Sequence, residues 1–203
     1  MIIQSANRYG DKLALEDLND TPIPRLTYSA LLKHILKFGS ALKALGVKER
    51  SHIAVIGENR VQWALSYLTM SCFNYVVVPI DRNLNQNEIL NVIHESDAEA
   101  VIFTSQYEQI FIESHSSLHK VKQYISMDPI SYGHNFSSMA ELIRTSHGCS
   151  TDELPKIDPK EMAAVIFTSG TLGRAKGVML SQNNISSNLM AMLSLFMMYP
   201  SDR

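Results

Sequence analysis

The sequence predicts an α/β fold in which helices flank a parallel β-sheet and a β-hairpin lies near the carboxyl end. Short, continuously apolar segments alternate with longer amphipathic ones along residues 1–150, which is typical of parallel strands buried on both faces. A glycine-rich segment between two apolar runs follows and predicts the hairpin. Apolar residues make up 45% of the 203 residues, enough for a substantial core.

The first elements are a short hairpin and a capped helix. Residues 13–15 and 25–27 flank the turn-forming sequence Asn-Asp-Thr-Pro and are predicted to pair. Thr27 is predicted to cap the helix that follows, and Gly46 to end it with left-handed backbone. The apolar side chains of this helix recur every three or four residues, at Leu31, Ile35, Phe38, Leu42 and Leu45.

The rest of the sheet is predicted from the same alternation. Strands are expected at residues 52–56, 75–79, 100–104 and 122–127. Helices are expected at residues 60–73, 87–96, 107–115 and 137–146, with Asn59 capping the first. Asp81 and Arg82, just after the second of these strands, are interpreted as a structural turn with a local ion pair.

The chain is expected to divide into an α/β subdomain at residues 1–150 and a second part at residues 151–203. The polar stretch 146–160, which contains Pro155 and Pro159, is the predicted linker. The second part then holds the glycine-rich hairpin and a final helix. That helix has an apolar stripe at Ile185, Leu189, Met192, Leu193 and Phe196. An exposed stripe of this kind drives association, so self-association through residues 185–198 is expected.

Residues 167–177 read Phe-Thr-Ser-Gly-Thr-Leu-Gly-Arg-Ala-Lys-Gly and are the candidate functional site. Hydroxyl groups, glycine N–H groups and a lysine suit a polyphosphate. The spacing excludes the Walker A loop and the dinucleotide fingerprint. It also excludes the hydrolase elbow, because Phe167 stands where that motif requires glycine. A Gly/Ser/Thr surface turn is the alternative interpretation.

The order of residues in this loop resembles the signature loop of the adenylate-forming enzymes, the superfamily of acyl-CoA synthetases and peptide-synthetase adenylation domains. The similarity extends to the first part of their large N-terminal domain. The segments that resemble the family are Leu26-Thr-Tyr28, His52-Ile-Ala-Val-Ile-Gly57, Tyr75-Val-Val-Val-Pro-Ile80, Ala100-Val-Ile-Phe103, Phe167-Thr-Ser-Gly-Thr and Lys176-Gly-Val-Met-Leu-Ser181. Within the superfamily, the chain is most similar to long-chain fatty acyl-CoA ligases.

The resemblance implies that a carboxylate attacks the α-phosphate of ATP, with Mg²⁺, and that coenzyme A then displaces AMP. The residues expected to hold the phosphates are Thr168, Ser169, Gly170, Thr171, Gly173 and Lys176. Three positions depart from the family's pattern: Leu172 and Ala175 replace the usual threonine and proline, and Gln182 replaces histidine.

The family's later elements have no counterpart here, including the adenine and ribose segments, the C-terminal domain and its catalytic lysine. The chain is therefore expected to be a fragment that contains no complete catalytic set and is inactive alone. Two alternatives stay open: a fragment of a peptide-synthetase adenylation domain, and a non-catalytic nucleotide-binding or interaction module.

Composition excludes other classes of function. The formal net charge is −2, so the sequence lacks the excess of positive charge that is typical of proteins that bind nucleic acid. The apolar run at residues 189–199 is too short to span a bilayer, and the N-terminus is not a signal peptide. Two cysteines form no disulfide framework, so a reducing, cytoplasmic compartment is expected. His115 and His119 lack a second tight pair, so no metal site is expected there.

Overall fold

The structure is a computed structural model that describes residues 1–18, 21–130, 133, 135–168 and 176–196. The helices are α1 (Ile2–Tyr9), α2 (Tyr28–Ala44), α3 (Val61–Cys72), α4 (Gln86–Glu95), α5 (Glu108–Ser114), α6 (Met139–Thr145) and α7 (Gln182–Leu195). The strands are β1 (Leu13–Glu16), β2 (Arg25–Thr27), β3 (His52–Ile56), β4 (Val76–Pro79), β5 (Ala100–Phe103), β6 (Gln123–Ser126), β7 (Phe136–Ser138), β8 (Met162–Thr168) and β9 (Lys176–Ser181). Short 3₁₀ turns lie at Ser105–Tyr107 and Thr151–Glu153.

Seven strands form one sheet in the order β7-β6-β5-β3-β4-β8-β9. Every neighbouring pair is parallel except β8 and β9, which form an antiparallel hairpin. Strands β1 and β2 pair separately, also antiparallel. The predicted mostly parallel α/β sheet with a terminal hairpin is therefore confirmed.

The core lies on both faces of this sheet. Helices α2, α3 and α6 cover one face, where Phe38, Leu65 and Ile53 are fully buried. Helices α4 and α5 cover the other face, where Phe103 and Phe111 pack with their ring centroids 4.9 Å apart. Burial on both sides explains why β3, β4 and β5 are apolar without alternation.

Helix α2 begins and ends as the sequence predicts. The Thr27 hydroxyl accepts a hydrogen bond from the Ala30 N–H at 3.2 Å, which satisfies one unpaired donor of the first turn. Gly46 follows the last turn with a φ of 85°, a left-handed conformation that glycine adopts without a steric penalty.

Two details of the predicted elements are wrong. The N-cap residue of α3 is Arg60 rather than Asn59, and the side chain of Arg60 is used in a tertiary ion pair instead. The segment predicted as a helix at residues 137–146 begins with β7, which pairs parallel to β6. Phe-Ser-Ser is too short and too polar to give a strand signal on its own.

Candidate nucleotide-binding site

The candidate site lies at the carboxyl edge of the parallel sheet. Strand β8 is parallel to β4, so the end of β8 at Thr168 points the same way as the ends of β3, β4, β5 and β6. Ligands of open α/β sheets bind outside this edge. The described ends of the hairpin, Thr168 and Lys176, therefore lie at the edge where such a site is expected.

Within the hairpin, Thr168 and Lys176 are the last pair of the ladder. Both residues are exposed, so a hydroxyl and an ammonium group stand at the two ends of the intervening loop. Ser169, Gly170, Thr171 and Gly173, the other predicted phosphate ligands, lie outside the described residues, as do Leu172 and Ala175. The structure thus locates two of the six predicted site residues.

Gly177 has a packing role beside Lys176. It pairs with Phe167 across the hairpin, and a Cβ atom added there would lie 2.8 Å from Cγ1 of Val165. A side chain at this position would collide with the side chains of Val165 and Phe167. The glycine after the lysine is therefore explained by these two side chains, which pack over the backbone of β9.

Strand β8 lies beside β4 in the sheet, and Ala164 and Val165 are part of the two apolar cores. The registered pair between β4 and β8 is Val77 with Ala164. At the opposite edge, Nη1 of Arg50 donates to the carbonyl oxygen of Met162 at 2.6 Å and lies 3.6 Å from Oε2 of Glu161. Arg50 therefore fixes the beginning of the strand that ends at Thr168, a role that no local sequence signal indicates.

The helix after the hairpin begins with a closed cap. The Ser181 hydroxyl accepts from the N–H of Asn184, and the Asn184 side chain accepts from the N–H of Ser181, at 3.2 and 2.9 Å. Because the chain itself satisfies these donors, they are not free for an anion. Gln182, which replaces the family's histidine, is the first residue of α7.

The crevice between β3 and β5 is the topological switch point of the sheet. Side chains of the protein itself occupy this crevice. Arg60 and Asp128 form a bidentate pair across it, with nitrogen–oxygen distances of 2.8 and 3.2 Å. Thr104 lies against Gly57, where an added Cβ would be 2.5 Å from its Cγ2. These contacts leave the hairpin end as the better candidate for ligand binding.

Asp128 is held as a carboxylate. Burial favours the neutral form, but the hydrogen bonds from Arg60 and from the backbone N–H of Ser105 outweigh it, so the pKa of Asp128 is lowered. The Arg60 side chain is 8% exposed and the Asp128 side chain 17%. This pair joins the ends of three strands, and neither residue stands out in the sequence because they are distant along the chain.

Asp81 and Arg82 form a structural turn, as predicted, but without the predicted ion pair. Oδ1 of Asp81 accepts from the backbone N–H of Asn83 at 2.9 Å, and the Arg82 carbonyl accepts from the Tyr107 hydroxyl at 3.2 Å. The carboxylate is thus used inside its own turn. Among the described residues, Arg82 is in no ion pair and lines an open cleft of about 410 Å³.

The remaining candidate groups are isolated. His115 is exposed and its Nδ1 lies 2.8 Å from the Ile112 carbonyl oxygen. Both cysteines are free thiols, and burial raises the pKa of Cys72 to about 11. In the part of the chain that the structure describes, no three His, Cys, Asp or Glu side chains are placed to hold a metal. None of the helices in that part has the length and apolar character needed to cross a membrane.

Comparison with known proteins places this geometry in context. A chloroplastic long-chain-fatty-acid–[acyl-carrier-protein] ligase of Arabidopsis thaliana is 30% identical over 201 residues, which are 89% of this chain and 27% of that protein. Long-chain-fatty-acid–CoA ligase 5 of Rattus norvegicus is 28% identical over 193 residues, 85% of this chain and 27% of that protein. The chain thus spans about a quarter of the length of these relatives.

Solved structures share the fold. The N-terminal domain of FACL13 from Mycobacterium tuberculosis superposes with a TM-score of 0.83 at 22% identity, over 100% of this chain and 48% of that one. A long-chain-fatty-acid–CoA ligase from Archaeoglobus fulgidus gives a TM-score of 0.81 at 21% identity, over 95% of this chain and 38% of that one. The sequence model of the AMP-binding enzyme family matches residues 2–203, and the chain therefore belongs to this family.

Proposed function

We propose that this chain supplies the phosphate-binding part of an ATP-dependent ligase that activates a carboxylate as an acyl-adenylate. The observation that supports this most directly is the β8–β9 hairpin, in which Thr168 and Lys176 face each other at the carboxyl edge of the sheet. In this proposal Thr168, Ser169, Gly170, Thr171, Gly173 and Lys176 hold the β- and γ-phosphates of ATP.

The chemistry requires donors where charge develops. A carboxylate oxygen bonds to the α-phosphorus of ATP, the bond from that phosphorus to the bridging oxygen breaks, and pyrophosphate leaves with the electron pair. A thiol, which loses its proton, then bonds to the acyl carbon, the bond from that carbon to the phosphate oxygen breaks, and AMP leaves with the electron pair. The loop's hydroxyl and N–H groups and Lys176 stabilise the charge on the pyrophosphate. Mg²⁺, when bound, neutralises phosphate charge in such reactions.

A fatty acid is the proposed carboxylate and coenzyme A the proposed thiol. The names of the two relatives above support the acyl group, although one of those proteins acts with an acyl-carrier protein. A peptide-synthetase adenylation domain and a non-catalytic nucleotide-binding module remain the alternatives. We also propose a cytoplasmic location, which the two free cysteines support.

We propose further that the 203 residues bind nucleotide but do not turn over alone. Fluorescent ATP should bind the chain in the presence of Mg²⁺, and Lys176→Ala should weaken binding about tenfold, roughly 1.4 kcal/mol, through the lost charge. The matched control is Lys160→Ala, an exposed lysine before the other end of β8, which should leave binding unchanged. Equal affinity of the wild type and Lys176→Ala would contradict the phosphate site.

Turnover is measured separately, from α-labelled ATP and palmitate. We expect no acyl-adenylate above the level of the Lys176→Ala variant. Acyl-adenylate formed by the wild type above that level would show that the chain is catalytically complete and would overturn the proposed inactivity.

Self-association through residues 185–198 is a further part of the proposal. Ile185 packs against the core on the α2 side of the sheet, whereas the large apolar side chains after it are exposed. They are Leu189, Met190, Met192, Leu193, Leu195 and Phe196. Residues 197 and 198 lie outside the described part. An apolar face this continuous supports association with a second copy of the chain.

A further inference from the structure

A groove of about 280 Å³ lies between α1, α2 and residues 147–149, and no described residue of the hairpin lines it. Its apolar lining, called the floor below, includes Ala6, Leu32 and Leu36. Its polar lining includes the ammonium groups of Lys33 and Lys37 and the imidazole of His147. An apolar floor with a few convergent polar groups is the usual composition of a small-ligand site.

The charge at this groove is of one sign. Among the residues that the structure describes, no aspartate or glutamate lines it, and neither α1 nor α2 contains a carboxylate residue. Lys33 and Lys37 are four residues apart, so their ammonium groups lie on the same face of α2, and like charges at this spacing destabilise a helix. Among the described residues, neither lysine forms an ion pair with a carboxylate, whereas other lysines and arginines of the chain do.

Lys37 is also held in place. Its Nζ donates to the carbonyl oxygen of Ile143 at 3.2 Å, which anchors the side chain from α2 to the last turn of α6. An ammonium group has three N–H donors, so two remain for another acceptor. The position of one cation is thereby set in advance, which lowers the entropic cost of binding an anion there.

We propose that this groove binds a small organic phosphate monoester, with the phosphate between the two lysines and His147 and the apolar part on Leu32 and Leu36. The charge of the groove complements a dianion, and its apolar floor complements a ring or short alkyl group. A volume of about 280 Å³ is at the lower end of ligand pockets, which favours a small molecule over a long acyl chain.

The test uses phenyl phosphate as the probe, titrated into the ¹⁵N-labelled 203-residue chain at constant ionic strength. Amide shifts should change around Asn7, Lys33, Lys37 and Gly148. The double variant Lys33→Gln/Lys37→Gln should bind at least tenfold more weakly. Its control is Lys43→Gln, which removes one charge from the last turn of the same helix, outside the groove, and should keep the wild-type affinity.

Three comparisons decide whether the groove is the binding site. Equal affinity of the double variant and the wild type, or an equal loss in Lys43→Gln, would overturn the proposal. Inorganic phosphate should bind more weakly than phenyl phosphate, and equal affinities would contradict the apolar floor. The Lys176→Ala variant should keep the groove shifts, because this site is independent of the phosphate loop; loss of those shifts would assign the binding to the hairpin instead.

Discussion

At the residue scale, the pair of Arg60 and Asp128 is the most informative interaction that the sequence conceals. The two residues are 68 positions apart, and their contact depends on strands β3, β5 and β6 ending at one level. Taking both charges out of water is costly, so the pair adds stability only because its geometry is bidentate and the backbone N–H of Ser105 donates a third hydrogen bond, to Oδ2 of Asp128. Removing one partner leaves the other charge buried.

We therefore expect Asp128→Asn to destabilise the chain by about 3 kcal/mol in urea unfolding at pH 7. Since the pKa of Asp128 is lowered in the folded state, its contribution is present above the unfolded pKa of about 4 and is lost as the pH falls through the folded value. The difference in stability between variant and wild type should accordingly shrink below about pH 4.

The control for this prediction is Glu141→Gln. Glu141 also accepts two hydrogen bonds from one arginine, Arg144, at 2.6 and 2.9 Å, but on an exposed surface where solvent screens the charges. Its loss should change the stability little. If both variants unfold at the same denaturant concentration as the wild type, burial of the Arg60 pair is not energetically important.

At the scale of elements, the sequence predicts most of the fold because periodicity is a local property. The apolar positions of α2 and the continuously apolar β3, β4 and β5 are visible in any window of a few residues. Strand β7 cannot be predicted from a short window because it forms through pairing with β6. The N-cap of α3 cannot be predicted in this way either, because Arg60 forms a tertiary ion pair with Asp128. The hairpin at the candidate site is predictable from its glycines, but its anchor, Arg50, is distant in sequence.

The hairpin forms one edge of the sheet, with β9 as the last strand, so we expect it to open more easily than the central strands, and Arg50 is the side chain that anchors its beginning. Arg50→Met removes the donor to the Met162 carbonyl and the contact with Glu161, a loss of about 1–2 kcal/mol. In native-state hydrogen exchange, the amides of Val165 and Val178 should exchange roughly tenfold faster, while that of Ile102 in β5 keeps its rate.

Arg25→Met is the matched variant. Arg25 pairs with Glu16 between β1 and β2, and its side chain is 72% exposed, so its loss should leave exchange in β8 and β9 unchanged. Uniform acceleration across the sheet in Arg50→Met would mean that Arg50 stabilises the whole fold rather than the hairpin.

At the scale of the whole molecule, the two ends of the sheet differ. Strands β3 to β6 are covered on both faces, whereas β9 and α7 leave Val178, Met179 and the apolar side of the helix exposed. No residue of α7 is buried, and the helix contains no charged residue. Two copies can therefore bring the faces of α7 together without opposing charges, next to the edge strand β9.

We expect the chain to be dimeric or larger at micromolar concentration, by sizing with light scattering, and to bind an apolar dye. Leu193→Lys/Phe196→Lys places two charges in the apolar stripe, and burying them in a contact would be costly; this variant should be monomeric and bind less dye.

Ser187→Lys adds a charge on the opposite side of α7 and should associate like the wild type. A monodisperse wild-type monomer without dye binding would contradict the prediction, and dissociation by Ser187→Lys would show that charge on the chain, rather than the stripe, controls assembly.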